Sequence, residues 1–175
     1  MEKFAFIIHP LSIHDMAHVS PVLKFIPDSW LESALKLKKP FQVSHITGIK
    51  SPYAEAEGWF IGCPLTSKQM VELPEEFVMD RIIESGKIAQ ELGAKVVGLG
   101  AFTSIVGDAG ITVAKNLDIA VTSGNSYTVA TALEGTREAV RLMGKDLATA
   151  HVTIVGASGS IGAACTRTVS YTHLT

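Results

Sequence analysis

His151-Val152-Thr153-Ile154-Val155-Gly156-Ala157-Ser158-Gly159-Ser160-Ile161-Gly162 is the stretch on which the fold reading turns. A β-branched apolar run leads straight into glycines at 156, 159 and 162, and Ala163-Ala164 then open a helix. Strand, glycine turn and helix in that order form the context a dinucleotide fingerprint needs. In it Gly156 makes the tight turn, Gly159 leaves room for backbone approach to a pyrophosphate, and Gly162 lets helix pack on strand. Ser158 and Ser160 would add hydroxyl donors where the helix N-terminus already favours negative charge, and Ile161 belongs to the same expected cofactor-binding set. A glycine-rich βα turn with no ligand is the alternative. The acid or arginine that separates NAD from NADP falls about 20 residues further on, past Thr175, so the residues leave NAD and NADP both open.

Working back toward the N-terminus, strand-like and helix-like stretches alternate. Phe4 to Ile8, Phe41 to Lys50, Gly58 to Gly62, Ala94 to Leu99 and Ile119 to Val121 read as strands. Asp15 to Lys24, Ser29 to Lys36 (with Ser29 as N-cap), Glu75 to Leu92 and Asn125 to Met143 read as helices. Of these, Glu75 to Leu92 carries the clearest 3.6-residue period, with acids in its first turn and Gly93 as its stop. Alternation of this kind predicts parallel α/β organisation. Residues 1–147 are expected to form an N-terminal α/β domain on the substrate side, and 148–168 the first strand, glycine turn and helix start of a Rossmann domain. A βαβ unit needs about 30 residues, so that second domain is expected to be truncated. The closing run 169–175 can be encoded by GTC TCT TAT ACA CAT CTN ACN, which contains the complement of a transposon adapter end. Those residues are therefore expected to be adapter-derived rather than native.

Composition narrows the function classes. Among 175 residues, 47% are hydrophobic and 18% charged, enough for a buried core and too apolar for a disordered chain. Fifteen basic against seventeen acidic residues leave a net charge of −2, so no general field draws nucleic acid, and no nucleic-acid partner is expected. No run approaches the roughly 18 apolar residues of a spanning helix. Two widely separated cysteines, Cys63 and Cys165, point to a reducing cytoplasm. Neither has a sequence cue for an activating base, and both read as small buried residues. His14 and His18, with His9 nearby, lack a third ligand at metal-site spacing and read as surface or packing histidines.

Two loops follow predicted strands, where the carboxyl ends of parallel strands hold ligands. The first is Leu99-Gly100-Ala101-Phe102-Thr103-Ser104-Ile105; the second is Thr122-Ser123-Gly124-Asn125-Ser126-Tyr127-Thr128, which serves equally well as an N-cap cluster. In this order and spacing, with Val155 to Gly162 behind them, they resemble the aldehyde-forming long-chain acyl-(acyl-carrier-protein) reductases and relatives labelled amino acid dehydrogenase or shikimate dehydrogenase-like. The resemblance runs from the first strand to about Thr168. It implies an NAD(P)H-dependent oxidoreductase, with NADPH favoured, that reduces a fatty acyl thioester to an aldehyde, with acyl carrier protein as a partner. It places Gly100, Phe102, Thr103, Ser104, Gly124, Asn125 and Thr128 around the substrate. The family's thioester-forming cysteine belongs to a C-terminal half outside this chain, and neither Cys63 nor Cys165 takes its role. The isolated chain is then expected to be catalytically inactive. A shikimate- or amino-acid-type dehydrogenase and a non-catalytic nucleotide- or metabolite-binding protein are the alternatives.

Overall fold

The computed structural model describes residues 1–13, 15 and 26–173. The chain divides into two compact units, Met1–Ser123 and Gly124–Thr175. That division precedes the 147/148 boundary expected from the sequence, because the helix that follows Ser123 makes its contacts within the second unit.

The first unit is built on strands β1 (Glu2–Ile8), β2 (Phe41–Lys50), β3 (Glu55–Gly62), β4 (Val96–Leu99) and β5 (Ala120–Thr122). Their order across the sheet is β2-β3-β1-β4-β5. β1 pairs in parallel with β3 on one side and β4 on the other, and β4 pairs in parallel with β5. β2 returns antiparallel to β3 through the turn at Ser51–Ala54, so the sheet is mixed rather than wholly parallel. Helices α1 (Asp28–Leu37), α2 (Ser67–Glu72), α3 (Glu75–Glu91) and α4 (Ile111–Lys115) complete the unit.

Period-two alternation explains the core. Register places Ala5 and Ile7 beside Trp59 and Ile61 on one flank and beside Val97 and Leu99 on the other. All six are buried on one sheet face. Val78, Met79, Ile82, Ser85, Gly86 and Ala89 form the buried stripe of α3, the helical spacing needed to cover that face. α2 is started by a capping box: Gln69 N–H donates to Thr66 Oγ1 (3.2 Å) and Thr66 N–H donates to Gln69 Oε1 (3.0 Å). Gln69 Nε2 then donates to the Glu32 carbonyl (2.8 Å), tying α2 to α1. α1 starts at Asp28 behind Pro27 with no side-chain cap, so Ser29 sits inside the first turn rather than capping it. The expected helix over 15–24, with His14 and His18, lies outside the described residues.

The opposite sheet face is apolar and open. Phe6 is 43% exposed and Ile8 36%. A β-carbon at Gly58 would lie 2.6 Å from the Phe4 ring, and one at Gly98 would lie 2.6 Å from the Phe6 ring. Each ring thus fills the space its neighbouring glycine vacates.

The second unit holds α5 (Asn125–Leu142) and α6 (Ser160–His173). Asn125 Nδ2 donates to Ser160 Oγ (3.0 Å), joining the two helix starts. Residues 151–154 form no strand, and Val155 is 95% exposed. The expected strand His151–Val155 is therefore corrected to an unpaired segment: its β-branched composition suits a strand, but no neighbour within the unit offers a ladder. The described residues thus show an α/β unit with a mixed five-stranded sheet, and they do not confirm the start of a Rossmann domain. α6 continues through Val169 to His173 despite the β-branched residues there.

A charged cluster fastens β1, β2 and β3 across the covered face. Glu57 accepts from Lys3 Nζ (3.2 Å) and contacts His45 Nε2 (3.2 Å), while the His45 ring stacks on Trp59 at 5.2 Å. The Lys3 hydrogen bond foremost, then that of His45, holds the Glu57 carboxyl below its ordinary range despite some desolvation. The folded state therefore binds fewer protons here than the unfolded chain. The contribution is fully present above the ordinary value of 4.5 and is lost as pH falls through the lowered folded value. Urea midpoints of wild type and Glu57→Gln are expected to differ at pH 7 and to converge on acidification; a constant gap would contradict this.

Candidate functional site

Parallel pairing brings the carboxyl ends of β1, β3 and β4 to one edge, where the chain reverses direction across the sheet about β1. Ligands bind at such an edge in open α/β sheets. The three strands exit there into His9-Pro10, Cys63-Pro64 and Gly100 to Ser104.

A cavity of about 290 Å³ opens between the first two exits. Ile8, Phe41, Val43 and Gly62 line it from the open sheet face, and Leu35 lines it from α1. Three polar groups converge on this apolar pocket: His9, Asp15 and Lys38. Lys38 holds its ammonium 3.9 Å from the centre of the Phe41 ring at the pocket margin. Leu35 and Lys38 come from the C-terminal end of α1, where exposed carbonyls carry partial negative charge. A larger hollow of about 470 Å³ lies in the second unit beside Val152, a unit whose described residues include no strand.

Cys63 lines the pocket and is wholly buried. Burial pushes its thiol up to about 12, outweighing the Ser85 hydroxyl and the Leu65 amide that act the other way. It packs within the core cluster, as the reading of it as a small buried residue expects.

The Gly100 loop forms a single 3₁₀ turn, Ala101–Ser104, against the end of β1. Thr103 is buried and its hydroxyl donates to the Gly100 carbonyl (2.8 Å). Ser104 Oγ donates to the Ala101 carbonyl (2.7 Å). Both hydroxyls thus serve the turn itself. Phe102 instead sends its N–H to His9 Nε2 (3.1 Å). Of the second group, Gly124 adopts φ 73° before α5 and Thr128 Oγ1 donates back to its carbonyl (3.2 Å), while Asn125 reaches Ser160. This is a helix-start arrangement within the second unit. The first and second groups therefore belong to different units.

Gly156, Ser158, Gly159 and Ser160 form an exposed turn into α6, with Gly156 at φ 78°, and Ile161 and Gly162 follow it half-buried. A β-carbon at Gly162 would collide with the Gly156 carbonyl oxygen, so the missing side chain lets the start of α6 approach the turn.

In the sequence His9 stands only beside His14 and His18 in an incomplete metal set; the structure gives it a separate place at the end of β1. Among the described residues no group of three metal-ligating side chains occurs. The signal for His9 is its place: a titratable side chain directly after an apolar strand, followed by proline.

No protein-family model matches the chain. It is 29% identical over 177 aligned residues to the aminotransferase PigE of Serratia sp. (strain ATCC 39006), an alignment covering 94% of this chain and 20% of that protein. The chain thus spans about a fifth of the length of the curated relative it matches. This likeness corrects the earlier resemblance. The relative carries the name of an amino-group transferase, so the assignment to acyl-(acyl-carrier-protein) reductases falls. With it fall the oxidoreductase class, the NAD or NADP cofactor, and the acyl thioester and acyl carrier protein partners. No helix among the described residues is long and apolar enough to cross a membrane.

Two measurements check this geometry. Ellman's reagent is expected to titrate the half-buried Cys165 in the native protein and to reach Cys63 only after denaturation; rapid native labelling of both would contradict the burial. At the turn, a β-carbon on Gly100 would lie 2.6 Å from the Ile7 carbonyl oxygen, and Ala101 adopts φ 47°. Gly100→Ala is expected to cost about 1–3 kcal/mol in urea denaturation, whereas Ala101→Gly is expected to be neutral or to stabilise by up to about 1 kcal/mol.

Proposed function

We propose that the sheet unit is the small-molecule-binding part of a transferase-type protein, receiving at the β1–β3 pocket a ligand with an apolar body and one polar end. The observation that carries this reading is the pocket's placement: an apolar cavity at the carboxyl ends of two parallel strands, with His9, Asp15 and Lys38 converging on it. The named activity of the relative supports an amine or carbonyl group as the polar end, because amino transfer interconverts the two. A cytoplasmic location is part of the same proposal, drawn from the two unpaired cysteines.

Aminotransferases as a class carry pyridoxal phosphate on a lysine. The described residues do not fit that group. At the pocket, α1 presents its C-terminal, partially negative end, which disfavours a phosphate, and no glycine turn lines the cavity. In the second unit the glycine turn adjoins the start of α5 through Ser160 and Asn125, but that unit's lysine, Lys145, follows the far end of an 18-residue helix. Such a helix is about 27 Å long. No amino-transfer step is therefore derived from these side chains; their work is binding and orientation. The apolar walls exclude water from the ligand body, and the polar rim fixes which end faces out.

The test is calorimetric titration of the protein with short aliphatic amines, aldehydes and alcohols of increasing length. Saturable binding that tightens with chain length is expected. Gly62→Val and Val43→Trp, which fill the cavity from two strands, are expected to weaken it at least about tenfold while leaving the urea m-value unchanged. Binding that survives both substitutions, or no binding to any member of the series, would refute the reading.

A further inference from the structure

We propose that His9 is a proton-operated latch on this pocket, closing the β1 exit against the β4 turn only while its imidazole is neutral. The proposal rests on the pocket being the ligand site. Phe102 N–H donates to His9 Nε2 at 3.1 Å, so Nε2 holds a lone pair and no proton. The neutral ring must then carry its proton on Nδ1, which donates to the Pro10 carbonyl at 3.0 Å. Both ring nitrogens are committed, and the Phe102 ring meets the imidazole edge-on at 6.1 Å. One backbone amide therefore reads the protonation state of one side chain. Adding a proton to Nε2 sets an N–H against the Phe102 N–H, and the contact becomes donor against donor.

The consequence reaches the pocket through the chain. Ile8, His9 and Pro10 are consecutive lining residues, and beside the Gly100 N–H to Ile7 carbonyl bond (3.1 Å) the latch is the side-chain tie from their end of β1 to the Ala101–Ser104 turn. Ala101 sits beside the latch at φ 47°, a conformation a non-glycine residue holds only under constraint. Among the described residues, the charged and titratable groups that line the same cavity as His9 are Asp15, Lys38 and Cys63. Asp15 lines the same cavity and attracts an imidazolium into it; Lys38, on the α1 side, opposes that movement. Cys63, from the β3 exit, stays neutral throughout because burial raises its thiol to about 12. The 3₁₀ turn contributes no titratable side chain. Protonation thus releases the ring from Phe102 and turns it toward the ligand's space, and the pocket loses affinity.

The experiment uses a neutral alcohol from the series above, so that the ligand itself does not titrate, with two readouts between about pH 8 and pH 5, the span in which histidine changes charge. Affinity is expected to fall at least about fivefold on acidification, the equivalent of one lost hydrogen bond. In parallel, the Phe102 amide resonance is expected to shift and its protection factor, exchange taken against the intrinsic rate at each pH, to fall over the same span. His9→Gln, whose amide oxygen accepts from Phe102 at every pH, is expected to abolish both pH responses. A Phe102 amide indifferent to pH would overturn the latch, whatever the binding does. A responsive amide with flat affinity would overturn its coupling to the pocket. Absence of alcohol binding even at pH 8 would defeat the pocket reading and the coupling with it, and the amide readout would separate that failure from failure of the latch.

Discussion

Strand β1 has no free edge, and the first unit follows from that constraint. A strand hydrogen-bonded on both sides must have all its amides and carbonyls placed in register with β3 and β4, and a parallel register forces the chain to cross over twice. The crossovers deliver α3 onto the face that carries Ile7, Ile61 and Val97. They also send three strand ends to one edge. The pocket and the 3₁₀ turn are two products of the same pairing, separated by the width of β1, and His9 stands at the end of that strand with one side toward each.

Much of this was legible in the sequence where the signal is local and repeated. Glu75 to Leu92 announces a helix because one apolar residue per turn must face the sheet, and the structure places α3 there. Phe41 to Lys50 and Gly58 to Gly62 read as strands for the same kind of reason, although nothing in their composition told that β2 would run antiparallel. The run His151 to Val155 shows the limit. Its β-branched residues favour an extended backbone, but a strand is a relation between two segments, and residues 151–154 stand without one. Propensity speaks for the segment and is silent about its partner.

The candidate site was less legible, for a physical reason. Hydroxyl-rich loops attract attention because Ser, Thr and Asn can bind almost anything, yet Thr103, Ser104 and Thr128 spend their hydroxyls on carbonyls within four residues. The groups that converge on the pocket are dispersed along the chain instead, from His9 and Asp15 to Lys38 and Cys63. Spacing along a sequence carries no trace of such convergence, which arises only when β1 and β3 lie side by side. The glycine turn at 156–162 shows the converse: its spacing is conspicuous, and the part of it the structure explains is steric, the contact of Gly162 with the Gly156 carbonyl.

The open sheet face bears on how such a chain can change through descent. Phe4 and Phe6 each lie across a glycine on an adjacent strand, so that ring and gap are complementary halves of one shape. Gly58 cannot gain a side chain while Phe4 remains aromatic, and the Phe4 carbonyl oxygen, 2.7 Å from where the Gly58 β-carbon would stand, resists one even behind a smaller residue at position 4. At Gly98 the nearest atoms are those of the Phe6 ring, so a smaller residue at position 6 opens room there. Phe6 and Gly98 are thus a unit of inheritance that spans two strands, free to vary in concert, whereas Gly58 is fixed by backbone as well as by its ring.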